Sequence, residues 1–137
     1  MNANAIERPP LHLIDDEADA LSSLALRVEH SQPDVAALLF AEIDRAEIHT
    51  ADTLPANTIA MNARVTFVDE GSGSRREVQL VYPQDADIAN GRVSILTPVG
   101  AGLIGLSEGQ SITWPDRDGN PRRLRIEKVR APAEEEG

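Results

Sequence analysis

Three sets of residues in this chain have types and spacings that could do chemistry. The first is a glycine run, in which Gly100, Gly102 and Gly105 spell G-x-G-x-x-G within "GAGLIG". That motif holds a dinucleotide when it joins a strand to a helix in a βαβ unit, with a later acid on a parallel strand. A phosphate-binding P-loop would also need a Lys-Ser or Lys-Thr pair, and the chain has neither. The second set is His12, His30 and His49, the only histidines. None is spaced as H-x-x-x-H and there is no cysteine, so structural or surface roles are expected of them. Ser31 follows His30, but neighbours in sequence do not make a catalytic triad. The third set is acidic. Asp116, Asp118, Asn120 and Glu127 stand at relative positions 1, 3, 5 and 12, as in a calcium-binding loop. Pro121 takes the place that needs glycine, and Arg122, Arg123 and Arg125 fall inside the loop, so a tight hairpin turn at Gly119 is expected instead. No catalytic residue, metal site or cofactor is assigned.

Charge narrows the partners. The net charge is −10, but residues 1–57 carry eleven acids against three arginines, whereas residues 58–130 carry nine acids against nine arginines and one lysine. An acidic amino-terminal half opposes direct nucleic-acid binding there, because phosphates demand clustered cations. Glycines and polar residues break the longest apolar run well short of the ~20 residues of a membrane span. The first ten residues lack the apolar stretch of a secretory signal. The expectation is a soluble, cytoplasmic, monomeric protein.

The elements that must position these residues follow from periodicity. Residues 1–10 read as a flexible tail. Leu21, Leu24, Ala25 and Val28 recur at helical spacing, with Asp15 or Asp16 as cap and a stop near Glu29 or His30. A second helix is expected from the Ser31-Gln32-Pro33-Asp34 start, with Ser31 as cap and Ala36, Leu39, Ile43 and Ala46 on one face. The short connection folds the pair into an antiparallel hairpin spanning residues 11–54, each helix roughly 24 Å long. The polar linker "HTADTLPANT" follows, and then the period changes to that of strands. "ARVTFVDE", "REVQLVY", "RVSIL", "SITW" and "RRLRIEKV" give about five short strands, mostly antiparallel. Thr97-Pro98 predicts a capped short helix over "PVGAGLIG", because proline forces Thr97 to be extended and itself suits a first turn. Gly100 and Gly102 are poor helix formers that fit where the helix backbone lies close against another surface. An acidic tail occupies 132–137.

The segments "IAMNARVTF", "LVYP", "SILTPVGAGLIGLSEGQSI" and "LRIEKV", placed behind a short acidic hairpin, resemble the GreA/GreB family of transcription elongation factors and its short relatives, the regulators of nucleoside diphosphate kinase. The resemblance spans roughly residues 11–131. It implies an α+β fold in which residues 55–131 form an FKBP-like domain, a five-stranded antiparallel sheet with one short helix. It implies docking on a coiled coil at the secondary-channel rim of bacterial RNA polymerase through Leu96, Thr97, Pro98 and Val99, in competition with Gre-type factors. It implies an indirect effect on nucleoside diphosphate kinase levels, without enzymatic activity or cofactor. The hairpin tip carries Glu29, His30 and Asp34, but the hairpin is much shorter than the coiled coil with which Gre factors complete a magnesium site. Direct regulation of a nucleotide-metabolising kinase, a transcript-cleavage role, and prolyl isomerisation are the alternatives. The last needs an aromatic pocket, and the chain has only Phe40, Phe67, Tyr82 and Trp114 as aromatics.

Overall fold

The computed structural model describes residues 9–115 and 118–131. The tail expected at 132–137, most of that expected at 1–10, and Asp116 lie outside the described residues. A short strand, β1 (His12–Ile14), runs directly into α1 (Asp15–Val28), and α2 (Pro33–Arg45) follows after one turn of chain. α1 buries Ala18, Leu21, Leu24 and Ala25 on one face, and its first turn carries Asp15, Asp16 and Glu17 toward the positive end of the helix dipole. α2 starts on Pro33 and buries Ala36, Leu39 and Glu42. Neither helix has the cap expected of it. The capping positions are Ile14 and Gln32, with no side-chain bond to the helix amides. Asp15 Oδ1 instead accepts from the Asp16 N–H at 2.7 Å, and the Ser31 hydroxyl donates to the Val28 carbonyl at 3.3 Å.

After α2, His49, the first residue of the expected polar linker, instead ends a strand, β2 (Glu47–His49), which pairs parallel with β1. The body follows as β3 (Arg64–Asp69), β4 (Ser74–Val81), β5 (Arg92–Ser94), α3 (Pro98–Leu103), β6 (Ser111–Pro115) and β7 (Pro121–Arg130). Their order in the sheet is β5-β4-β3-β7-β6. The expected purely antiparallel, FKBP-like sheet is corrected here: β5 runs parallel to β4, so the described residues form an α+β architecture with three α-helices and a curled mixed sheet. The cause is the connection from Tyr82 to Gly91. Two 3₁₀ turns, Pro83–Asp85 and Ile88–Asn90, carry the chain back beside Gln79, and Gly91 (φ 76°) turns it into β5 in the direction of β4. No helix among the described residues is long and apolar enough to cross a membrane.

One core joins the hairpin to the sheet. Leu21, Leu24 and Leu39 belong to the same buried cluster as Phe67, Leu80, Ile112 and Trp114. Glu42 is fully buried in α2 and is held by a fork from Arg45, whose Nε and Nη2 donate at 2.7 and 2.9 Å. Arg45 Nη1 also donates to the Pro9 carbonyl at 2.6 Å, so the pair ties the start of the chain to α2. A bidentate partner is what makes a buried carboxylate tolerable.

α3 is the most deeply packed helix, with Gly100, Ala101, Gly102 and Leu103 all buried. A Cβ on Gly102 would stand 2.8–2.9 Å from the Trp114 indole, and one on Gly100 would collide with the Ser94 carbonyl. We expect Gly102→Ala to lower unfolding stability by about 1–3 kcal/mol through overpacking, despite alanine's better helix propensity. Gly71→Ala, whose Cβ would meet only Asp69 Oδ1 at 3.4 Å, should change stability by less than about 0.5 kcal/mol. Denaturant titration of the two variants checks the pair.

Candidate functional site

The segment from Ser94 to Val99 turns the chain from β5 into α3, and hydrogen bonds fix it at nearly every residue. Ile95 N–H donates to the Val81 carbonyl at 2.8 Å, and Leu96 N–H to Ser94 Oγ at 2.9 Å. Thr97 is extended (φ −120°, ψ 158°), as a residue before proline must be. Its hydroxyl donates to the Ser94 carbonyl at 2.8 Å and accepts from the Gly100 N–H at 3.0 Å, which caps α3. Pro98 and Val99 then stand half-exposed on a backbone that cannot adjust.

Pro98 and Val99 sit where three surface hollows meet. One, of about 210 Å³, is lined by Phe67, Val78, Ile88, Val93, Thr97 and Val99, with Pro98 at its edge. A second, of about 420 Å³, runs from Val99 past Phe67 to Trp114 and Pro115. A third, of about 500 Å³, separates Pro98 and Pro115 from Asp34, Val35 and Leu38 of α2. Leu96 does not belong to this surface. It is 9% exposed and lies in the core, so it anchors the segment from beneath. Sequence reasoning missed Ile88, which is 63% exposed at the rim of the first hollow, and Arg76, whose guanidinium lies 6.0 Å from the Phe67 ring centroid. An isolated isoleucine in the polar stretch "PQDADIANG" was the available signal for Ile88.

The hairpin-tip residues Glu29, His30 and Asp34 are all exposed. The structure does not gather them into a ligand cluster, but it does place Asp34 beside Pro98 across the third hollow. The bend of the hairpin and the Thr97–Val99 segment therefore share one edge of the molecule. His12 and His49 are brought together, 2.9 Å apart. The G-x-G-x-x-G glycines lie in and just after a six-residue helix, between β5 and β6, with no βαβ unit. Gly105-Leu106-Ser107-Glu108-Gly109 also has a G-x-S-x-G spacing. A nucleophile elbow needs a strand before the serine and a helix after it, whereas here α3 precedes and β6 follows, and Ser107 Oγ bonds Thr58 Oγ1 at 3.1 Å. Glu127 is engaged by Arg75 and Arg125, so it is no calcium ligand.

Electrostatics divide the surface. The hairpin exposes Asp15, Asp16, Asp19, Glu29, Asp34 and Asp44. The sheet instead balances its charges across strands: Arg75 of β4 reaches over β3 to Glu127 at 2.8 Å, and Arg125 bonds both Glu70 at 2.7 Å and Glu127 at 3.1 Å. Hydrogen bonds from Arg75 and then Arg125 hold the Glu127 carboxyl below its ordinary range. Glu17 is the opposite case. Burial where α1 meets the body pushes its pKa up, against a 3.2 Å bond from the Met61 N–H that favours the anion. Burial, and then the Glu17 charge, raise the Tyr82 phenol in turn.

Comparisons with known proteins agree with this architecture. Residues 54–131 match the family described as transcription elongation factor, GreA/GreB, C-term. The chain is 34% identical over 109 residues to a protein of Escherichia coli strain K12 named regulator of nucleoside diphosphate kinase, covering 80% of each chain. It is 36% identical over 75 residues to the transcription elongation factor GreA of Thermodesulfovibrio yellowstonii, covering 55% of this chain and 48% of that one. The solved structure of a GreA/GreB elongation factor from Nitrosomonas europaea superposes with a TM-score of 0.71 at 33% identity, over 90% of this chain and 100% of that one.

The raised Glu17 pKa carries a sign. A group that holds its proton more tightly folded than unfolded contributes stability that is complete below its unfolded pKa and is lost as pH rises through the folded value. The Glu17 contribution to stability should therefore fall as pH rises from the ordinary carboxyl value of 4.5 through the Glu17 titration, opposite in sign to that of Glu127. Glu17→Gln, which can still accept from Met61, should lack that loss, so its stability relative to the wild type should grow as pH rises and it should be the more stable protein at pH 7. Urea midpoints of both proteins between pH 4 and 8 check it.

Proposed function

The chain belongs to the GreA/GreB transcription elongation factor family, and on that premise we propose that it is a non-enzymatic transcription regulator that docks on bacterial RNA polymerase at the rim of the secondary channel. The observation that carries the proposal is the locked Thr97-Pro98-Val99 edge. Small interfaces draw most of their affinity from a few well-positioned groups, and a segment already fixed by hydrogen bonds loses little entropy on binding. Val99 and Ile88 supply apolar contact and Pro98 supplies shape, while Leu96, buried in the core, anchors the chain just before Pro98 and Val99. The residues after Pro55 act as the docking body, and the hairpin over 11–54 acts as the part presented to the channel.

The hairpin is too short for the chemistry of a long coiled coil. Helices of 14 and 13 residues span about 20 Å. α2 also leans on α3 rather than standing clear of the body, which supports occupancy of the channel entrance over delivery of a metal ion into the active centre. The exposed acids of the hairpin would repel nucleotide and nucleic-acid phosphates and favour basic protein walls. An effect on nucleoside diphosphate kinase levels then follows indirectly through transcription, in the cytoplasm where the polymerase works. The name of the Escherichia coli relative, regulator of nucleoside diphosphate kinase, favours one second reading, direct contact with the kinase itself.

The test is competition with a Gre-type factor for immobilised RNA polymerase. The wild-type chain should displace the factor. Pro98→Asp combined with Val99→Asp should weaken displacement by at least about 100-fold, because charges inserted in an apolar contact stay unpaired. Ile88→Asp should cost about 10-fold, in line with one apolar anchor. Leu26→Asp, at an exposed position on the hairpin, should leave displacement unchanged. Wild-type competition by a folded double variant would place the docking surface elsewhere. Retention of nucleoside diphosphate kinase but not of polymerase would establish the second reading.

A further inference from the structure

We propose that His12, Glu47 and His49 form a binding site for one divalent transition-metal ion of the zinc class, which staples the base of the hairpin. The site arises from the parallel pairing of β1 with β2. Its register sets His12 opposite Glu47 and Ile14 opposite His49. Residues two apart on a strand share a face, so Glu47 and His49 project together, alongside His12 on the neighbouring strand. Leu13, on the other face, is 2% exposed in the core.

The three side chains converge on a point. His12 Nδ1 lies 2.9 Å from His49 Nε2 and 3.5 Å from Glu47 Oε1, and His49 Nε2 lies 3.8 Å from Glu47 Oε2. An ion with tetrahedral ligands at about 2.0–2.1 Å spaces their donor atoms about 3.4 Å apart. The observed distances bracket that value, and a shift of about half an ångström in the rings opens the space. The imidazoles are mostly sheltered, with side chains 20% and 14% exposed, while Glu47 is 67% exposed on the solvent side. Two imidazoles and one carboxylate with an open fourth position are the donor set of a three-ligand zinc site, and nitrogen donors disfavour magnesium and calcium.

The neighbouring hydrogen bonds accommodate the tautomer that such a site needs. Thr53 Oγ1 donates to the Thr50 carbonyl at 3.3 Å and accepts from the Thr50 N–H at 3.0 Å. It lies 3.4 Å from His49 Nδ1 and can accept a hydrogen from it. In the tautomer with the hydrogen on Nδ1, the His49 lone pair is on Nε2, facing His12, and Thr53 supplies the outer-shell support that ligating histidines use. Without metal, one of the two nitrogens donates to the other across 2.9 Å; with metal, both would present lone pairs and the His12 hydrogen would sit on Nε2. The half of the sequence that supplies the site is acidic, with eleven acids against three arginines over residues 1–57, which suits a cation. The ion would fix β2 to β1, and β1 is itself bonded to the body through His12 N–H and the Gly105 carbonyl at 3.0 Å.

The test titrates Co²⁺ and then Zn²⁺ into the untagged full chain after chelator treatment. We expect one equivalent of Co²⁺ to give the visible absorption of a four-coordinate ion, and one equivalent of Zn²⁺ to displace it and raise the melting temperature. Outer-shell changes cost metal sites about 10–100-fold in affinity, so His12→Ala and His49→Ala should each cost at least about 100-fold, and Thr53→Val about 10-fold. Glu47→Gln, at an exposed position that the fold does not need, should also weaken binding and alter the cobalt spectrum. His30→Ala should bind like the wild type. The proposal is overturned if one equivalent of Co²⁺ leaves the visible spectrum featureless, if Glu47→Gln leaves affinity and spectrum unchanged, or if binding follows His30. The outcome is independent of polymerase docking.

Discussion

α3 lies flat against Trp114 and the Ser94 carbonyl because two of its residues have no Cβ. Gly100 and Gly102 cost helix propensity, roughly 1 kcal/mol each relative to alanine. In return the helix backbone sinks into the core, where Ala101 and Leu103 are buried on either side. That depth sets the height at which the chain must enter the helix. Thr97 meets the requirement with one hydroxyl that bonds both Ser94 and Gly100, and Pro98 meets it with a fixed φ. The edge formed by Pro98 and Val99 is thus a consequence of core packing, because the depth of the buried Gly100–Leu103 turn fixes where Thr97 and Pro98 must stand.

The hairpin belongs to the same packing problem. Leu21, Leu24 and Leu39 are buried with the sheet residues, so the hairpin is a lid on the core as well as an acidic surface. The buried Glu42 carboxylate, held by Arg45, fixes the far end of α2 and draws Pro9 against it. At the other end, Asp34 faces Pro98 across a shared hollow. The molecule therefore offers one edge on which a shape-defined apolar segment and an acidic bend lie side by side. That arrangement suits a protein that grips a rim and presents negative charge to the opening beside it.

Much of this was legible in the sequence because it is local. The Thr97-Pro98 cap, the helix over the glycine run and the alternating strands around Phe67 and Val78 each declare themselves within a few residues. The two parallel pairings did not. β1 and β2 have three residues each, too few to show a period, and they meet only because the hairpin brings His12 beside Glu47. β5 reads as one more strand, and only the 3₁₀ turns before it decide its direction. The same limit hid the histidine pair, whose members are far apart in sequence, and the burial of Leu96, which lies next to half-exposed residues and has no pattern of its own. The capping assignments failed for a different reason. Asp15 and Ser31 are good caps by type, but β1 runs without a break into α1, and Ser31 bonds back to Val28.

The Pro98–Val99 edge is the surface proposed to meet RNA polymerase. Photo-crosslinking tests this directly, with a photoreactive amino acid placed at Val99 and, in a separate protein, at Leu26 on the hairpin, each bound to purified polymerase. The account predicts an efficient crosslink from position 99 that maps to the coiled coil at the secondary-channel rim, lost when a Gre-type factor is added in excess, with little from position 26. A crosslink from position 26 that survives that excess, with none from position 99, would contradict it.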